Sequence, residues 1–306
     1  MEHLRFTVDE DSEGLRLDKY ISDMTGPLLS RSFLQKIIKN NEVYVNNIPK
    51  KASYKVFSGD EVSFTVLDAE TCSIVPEDIP LDILYEDDDV IVVNKPKGMV
   101  VHPAAGHFEH TLVNALMYHC GDSLSGINGV MRPGIVHRID MNTTGSIIAC
   151  KNDKAHMSIA SQLKEHSITR TYLAIVCGNI KEDELTIDAP IGRSLKDRKK
   201  MAVVSGGKNA ITHVFVRQRF GDYTLVECKL ETGRTHQIRV HMASINHPIL
   251  GDDIYGKPSN RFKTCGQALH AYILGFIHPV SNEYIETIAP IPEYMKRIIV
   301  ELEAQI

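Results

Sequence analysis

The residues best equipped for chemistry lie between Gly134 and Gly145, GIVHRIDMNTTG, where one carboxylate, Asp140, follows His137-Arg138 and precedes a Thr-Thr-Gly turn. An apolar run that breaks into a polar, glycine-ended loop is a common setting for a site, because the scaffold fixes the side chains and the loop exposes them. Nearby positive charge favours the ionised form of a carboxyl group. In that form it suits covalent or electrostatic work at a sugar carbon better than proton donation near pH 7. Hydrolysis of a glycosidic bond normally takes two carboxylates, and this loop offers one. The plain alternative is a turn aspartate that caps its own loop. Arg138 and Thr143-Thr144-Gly145 count against that alternative, since a capping aspartate requires neither.

Other chemistries lack their signatures. No G-x-x-x-x-G-K-[ST] occurs and no G-x-G-x-x-G follows a strand, so no nucleotide cofactor is implied. A serine or cysteine nucleophile would need an elbow such as G-x-S-x-G, which is missing. Among the 14 histidines, His102, His107 and His110 are close in sequence, and His236 and His241 share a helical stretch, but their spacing of five does not suit one helical face. We read them as ordinary histidines and expect no metal and no cofactor. The six cysteines contain no C-x-x-C pair and read as reduced thiols, mostly buried.

The elements that must hold the Asp140 loop fall into two regions. At 306 residues, with 43% hydrophobic and 24% charged content, the chain is long enough for about two globular domains. Between Asp68 and Asp89 nine acidic residues and two prolines occur without a lysine or arginine, which marks a domain edge. The expected organisation is a small basic domain over 1–68, an acidic linker over 69–88 and a catalytic domain over 89–306. In the first, RLDKYISDM and SRSFLQKIIKNNEV have helical spacing, with Phe33, Ile37 and Ile38 apolar and Ser30 or Ser32 as cap. VYVNNIPK and GDEVSFTVL read as strands. In the second, DVIVVNKP, GIVHRID, GSIIACK, RTYLAIVCG, NAITHVFVRQRF and YTLVECKLE read as strands, and Asp153–Ile168, Thr235–Ile245 and the C-terminal stretch as helices. Strands with few interleaved helices predict an α+β fold on a mixed or antiparallel sheet.

The net charge of −5 conceals two basic segments: Arg31–Lys55 has six cations against Glu42, and Arg193–Arg219 has eight against Asp197. Clustered cations of this kind fit a nucleic-acid partner, and solvated surface is the bland alternative. No run is long and apolar enough for a membrane span, and the first residues lack a signal-peptide pattern, so a cytoplasmic protein is expected.

HRIDMNTTG resembles the catalytic loop of the RluA-type pseudouridine synthases, and it does not stand alone. VNKPKGMVVHPAAG, RTYLAIVCG, GRTHQIRVHMASINHPILGDDIYG and LHAYILGFIHP are similar to that family's other motifs, in its order, over roughly residues 80 to 300. RLDKY and the V-x-V-N element of the first region resemble a small RNA-binding domain found in a ribosomal protein and several RNA-modifying enzymes, which points to the RluD-like branch. The resemblance implies a pseudouridine synthase domain in which Asp140 is catalytic, Tyr172 contacts the base, Arg239 pairs with Asp140, and Arg138 enters the RNA stack that the uridine leaves. The basic segments add expected RNA contacts from Arg31, Lys36 and Lys39 and from Arg193, Arg198, Lys199 and Lys200, and the resemblance implies a ribosomal RNA target and a monomer. An ionised aspartate can attack the sugar, attack the base or assist elimination of a ribose proton, and all three routes stay open here. The competing functions are a non-catalytic RNA-binding or ribosome-assembly protein, a transfer RNA pseudouridine synthase, and a nucleoside hydrolase.

Overall fold

The computed structural model describes the chain except residues 1, 26–30, 67–73, 104–106, 128, 130–131, 198–199, 257–260 and 306, and the side chains of 2, 31–33, 36, 66 and 122. It divides into two compact units, Met1–Ser73 and Ile74–Ile306. The first contains β1 (Glu2–Thr7), α1 (Leu17–Thr25), α2 (Arg31–Lys39), β2 (Val43–Val45), β3 (Ile48–Pro49) and β4 (Glu61–Val66). Its antiparallel sheet has the order β1-β4-β2-β3. Leu17, Tyr20 and Ile21 of α1 and Leu34, Ile37 and Ile38 of α2 recur at three- and four-residue steps, which gathers them on the faces that cover Val43, Val45, Val62 and Phe64. The two-residue turn between β2 and β3 needs positive φ at both positions, and Asn46 and Asn47 supply φ of 51° and 65°.

The second unit runs β5 (Ile83–Glu86), β6 (Val90–Lys95), α3 (Leu112–Cys120), β7 (Thr144–Cys150), α4 (Asp153–Lys164), β8 (Thr169–Cys177), β9 (Glu184–Asp188), β10 (Ile191–Arg193), β11 (Met201–Val203), β12 (Ile211–Arg219), β13 (Tyr223–Leu230), α5 (Gln237–Ser244), β14 (Leu269–Ile277), β15 (Tyr284–Ile288) and α6 (Glu293–Glu303). Its nine-stranded sheet has the order β5-β6-β7-β14-β8-β13-β12-β9, with β15 also on β14 and a separate β10–β11 hairpin. All named pairings are antiparallel except β7–β14, so the α+β class with a mixed sheet describes the unit. The sheet is covered on both faces where β6 crosses it. Val90 and Val92 point to Ala155 and Ile159 of α4, while Ile91 and Val93 point to the cluster holding Leu112, Leu116, Met295 and Ile298 of α3 and α6.

Two expected elements differ. GIVHRID carries one isolated bridge, Ile135 to Ala149, and is otherwise irregular, with Gly134 turning the chain at φ 70° and the Asp140 carbonyl closing a turn with the Thr143 N–H. The helix expected to reach Ile168 ends at Lys164, where His166 adopts φ 61°. The thiols are free, but of the five described only Cys150 and Cys228 are fully buried and Cys265 is exposed. No helix among the described residues is long and apolar enough to cross a membrane.

Gly145 links the fold to the site. It opens β7 at φ 107°, and a Cβ there would stand 2.2 Å from the carbonyl oxygen of Ala271 on β14. Gly145→Ala adds left-handed strain to a backbone clash that no rotamer relieves, so it is expected to destabilise the second unit by roughly 2–4 kcal/mol. Urea unfolding would measure this, and a midpoint equal to wild type would contradict it.

Candidate active site

Asp140 is held by the backbone around it. Its carbonyl accepts from the Thr143 N–H at 3.0 Å, closing a turn, and Ile139 beside it is buried. The next carbonyl, Met141, accepts from the Gly98 N–H at 3.0 Å and from Lys95 Nζ at 3.0 Å. Lys95 also donates to the carbonyls of Pro96 at 2.8 Å and Met99 at 2.9 Å. Burial pushes this ammonium down to about 7 against the attraction of Asp140. The three carbonyls oppose that shift by bonding the charged form. Downstream, Thr143 Oγ1 accepts from Gln267 Nε2 at 3.1 Å, and the Thr144 hydroxyl lies 2.8 Å from His270 Nδ1. The Thr-Thr-Gly turn therefore fastens the loop to Gln267, just ahead of β14, through one hydrogen bond, and to β14 itself through one buried hydroxyl–imidazole pair and one close backbone approach.

The carboxylate of Asp140 meets α5. Arg239 Nη1 donates to its Oδ2 at 3.0 Å, across 99 residues of sequence. The other side of the same guanidinium grips Asp252: Nε donates to Oδ2 at 2.7 Å and Nη2 to Oδ1 at 2.8 Å. Asp252 is wholly buried and takes two further bonds, from the N–H groups of Ile254 at 3.0 Å and Tyr255 at 3.1 Å. Burial raises the Asp252 pKa, but the arginine fork and the two N–H groups outweigh it and the net shift is downward. Burial likewise opposes the charge on Arg239, yet its two carboxylates raise its pKa overall. Arg239 is thus a permanently charged, two-sided clamp whose bidentate face is occupied and whose remaining Nη1 reaches Asp140.

His236 caps α5 in the left-handed region, at φ 58°. Its Nε2 lies 3.8 Å from Asp140 Oδ1 and its Nδ1 2.8 Å from the Tyr255 hydroxyl, which accepts from the Met201 N–H at 3.0 Å. Burial lowers the His236 pKa while Asp140 opposes, so the ring is neutral at pH 7. Across from these groups, Arg170 and Tyr172 project from β8. Burial raises the pKa of the Tyr172 phenol, so its hydroxyl keeps its proton at neutral pH.

These groups line one cavity of about 520 Å³, in the size range of small-ligand sites. Among the described residues Asp140 is its one carboxylate, facing Arg138, Lys164, Arg170, Arg234 and Arg239. Arg138 is exposed at this cavity. A second hollow shares Gly233, Arg234 and Thr235 with it and extends past Arg193 and Lys208.

Of the other expected RNA contacts, Arg193 and Lys39 are exposed, whereas Lys200 is half-buried with its Nζ 3.0 Å from the Ile254 carbonyl. The side chains of Arg31 and Lys36, and all of Arg198 and Lys199, lie outside the described residues. Sequence reasoning passed over Asp252, His236, Arg170 and Lys95. All four stand inside motifs quoted for the resemblance, which was the available signal. The described His/Asp cluster close enough to hold an ion is Asp87, Asp89 and His278. It is internally satisfied: His278 Nε2 lies 2.7 Å from Asp87, which also accepts from Tyr85 and from the N–H groups of Asp89 and Val90.

Residues 89–244 match the RNA pseudouridylate synthase family and residues 15–62 the S4 domain. The chain is 53% identical over 302 residues to YlyB of Bacillus subtilis (strain 168), named as an uncharacterized RNA pseudouridine synthase, covering 99% of each chain. It is 44% identical over 301 residues to the ribosomal large subunit pseudouridine synthase D of Zymomonas mobilis, covering 95% of this chain and 94% of that protein. Among solved structures, human RNA pseudouridylate synthase domain containing 1 is similar at a TM-score of 0.56 and 28% identity, over 74% of this chain and 95% of that one. The chain therefore belongs to the RNA pseudouridine synthases, in the RluD-like branch of the RluA type with an S4 domain ahead of the catalytic domain, and it is an isomerase that acts on RNA.

Proposed function

We propose that this enzyme converts uridines of the large-subunit ribosomal RNA to pseudouridine in the cytoplasm, as a monomer, with Asp140 as the catalytic carboxylate. The observation that carries the residue assignment is the single acid in a cavity lined by cations. Among the described residues, a hydrolase working through two carboxylates lacks its second group there. The ribosomal target rests on relatives named ribosomal large subunit pseudouridine synthase D.

The reaction breaks the bond from N1 to the ribose, turns the base and rejoins it through C5. The C5 proton is lost and N1 gains one, so substrate and product are isomers. Arg239 donates to the Asp140 carboxylate and orients it in the cavity. Tyr172 offers an aromatic face to the base, and its protonated hydroxyl makes stacking its first role at neutral pH. A uridine within a stack must be extruded to reach this cavity, which costs a few kcal/mol. Exposed Arg138 stands where it can fill the gap left behind. The S4 unit, through Arg31, Lys36 and Lys39, and the segment of Arg193, Arg198, Lys199 and Lys200 hold phosphates, which gives affinity with little sequence choice.

Pseudouridine mapping of ribosomal and transfer RNA, with and without the protein, tests the target. A large-subunit site that disappears with the protein is the expected result, and loss confined to transfer RNA would refute the ribosomal assignment. Replacing Arg193, Lys196 and Lys208 together by glutamine is expected to reduce the slope of log affinity against log salt by about 2. An unchanged slope would remove this segment from the RNA path.

A further inference from the structure

Arg170 precedes Tyr172 by two residues on β8, so both side chains leave the strand on one face, and both line the cavity that holds Asp140. The residue is only 8% exposed. Its Nη2 donates to the Glu231 carbonyl at 2.9 Å, and its Nε has no hydrogen-bond partner. No carboxylate forms an ion pair with it among the described residues, in contrast to Arg239, which has two. The chain makes room for the guanidinium itself: a Cβ on Gly233 would stand 2.6 Å from Nη1. Burial lowers its pKa, the expected response of a cation taken out of water. An enclosed charge without a counter-ion is a standing cost to the fold, and removing the anion from a buried pair is among the most destabilising of changes. A cavity wall that holds such a group is electrostatically incomplete until something negative enters.

We propose that Arg170 is a further catalytic residue, whose unpartnered Nε and neighbouring Nη1 hydrogen-bond the carbonyl oxygens of the flipped uracil and stabilise the negative charge they carry when the base is detached. The proposal rests on the isomerase reading of the cavity. When the bond from C1′ to N1 breaks, the bonding pair stays on N1 and spreads to O2 and O4. C5 then bonds to C1′ with a pair drawn from that anion, which discharges the base, and loss of the C5 proton with protonation of N1 completes the isomer. A fixed guanidinium at those oxygens acts only while the charge exists, which is how a preorganised donor accelerates a reaction. A flanking phosphate is the less fitting anion, since it stays solvated near the cavity mouth, where exposed Arg138 is available.

The test uses the full chain, a transcript of the large-subunit ribosomal RNA, and the same transcript made with 5-fluorouridine. Fluorine at C5 stabilises the uracil anion, so it substitutes for a group that does the same. Wild-type conversion of the uridine transcript tests the isomerase reading itself, and the ratio of variant to wild type tests Arg170. Arg170→Gln is expected to lower the single-turnover rate at saturating enzyme by about 10²- to 10³-fold, with RNA affinity within about twofold. The defect should shrink by about tenfold or more for breakage of the N1 bond in the fluorinated transcript, and Arg170→Lys should recover part of the rate. The melting temperature of Arg170→Met should be no lower than wild type, because the substitution removes an unpaired buried charge. An unchanged saturated rate with weaker, less salt-dependent binding would reassign Arg170 to a phosphate. Equal defects on both transcripts, with a lower melting temperature, would make it a structural strut and overturn the proposal.

Discussion

Asp140→Asn is expected to lower single-turnover pseudouridine formation by on the order of 10⁴-fold or more, while RNA affinity and melting temperature change little. The size of the effect follows from the cavity's composition: no second carboxylate among the described residues stands ready to take over. His236, 3.8 Å from Asp140, is neutral at pH 7, so it cannot supply a negative charge. Affinity should persist because phosphate contacts carry most of it and Asp140 makes none. Stability should persist because Arg239 keeps its fork to Asp252 when Asp140 loses its charge. Retention of rate within tenfold would exclude Asp140 as the catalytic group. A wild type that binds RNA yet isomerises nothing would favour the non-catalytic reading, and release of free uracil would favour a hydrolase.

The contrast between rate and affinity follows from how the loop is built. Lys95, Gly98, Gln267 and His270 bond or pack against Met141, Thr143 and Thr144, which follow Asp140, not its carboxylate. The backbone is therefore fixed independently of the side chain that Asn replaces. Gly145→Ala acts in the opposite way, shifting the backbone and leaving every side chain of the cavity in the chain.

Much of this arrangement was legible in the sequence because its signals are local. Ile37 and Ile38, and Ala155 and Ile159, stand at helical steps and both helices form; the side chain of Phe33, expected beside them, lies outside the described residues, and Leu34 is buried there. The Asn46-Asn47 turn is readable from residue type alone. Other features have no local signal. α3 begins after a left-handed His110, and its first five residues are all buried, so no polar stripe marks it. β10 and β11 have three residues each, too few for an alternation to stand out. GIVHRID has the apolar content of a strand but is tied to β7 through the Cys150 N–H to the Gly134 carbonyl, the Ile148 N–H to His137 Nε2 and one isolated bridge. The site divides in the same way. A carboxylate and an arginine in recognisable loops can be named from sequence. That Arg239 has a second carboxylate, that Lys95 is buried against three carbonyls, and that Arg170 has no partner for Nε all depend on which strands pack together. Lys95 in particular runs against the ordinary placement of lysine at the surface.

Asp252→Asn is the second large effect, and it is expected in both stability and rate. The carboxylate is fully buried and accepts four hydrogen bonds, two from Arg239 and two from backbone N–H groups. Asparagine keeps the shape but turns one acceptor into a donor that faces a guanidinium N–H, and it leaves Arg239 with only Asp140 to balance its charge. Breaking a buried pair from one side costs about 3–5 kcal/mol. The rate should fall by about 10²-fold or more, because a guanidinium freed on its bidentate face no longer fixes the Nη1 that orients Asp140. The pH dependence gives an independent check. Asp252 has a folded pKa below its ordinary 3.8. Its contribution is therefore complete above that value and is lost as pH falls through the lower, folded one, where the native state must take up a proton. The stability gap between wild type and Asp252→Asn should be constant near neutrality and narrow below about pH 4. Chemical denaturation from pH 3 to 7 would measure that gap. A gap that widened on acidification, or a variant with wild-type rate, would show that Asp252 does not hold the clamp.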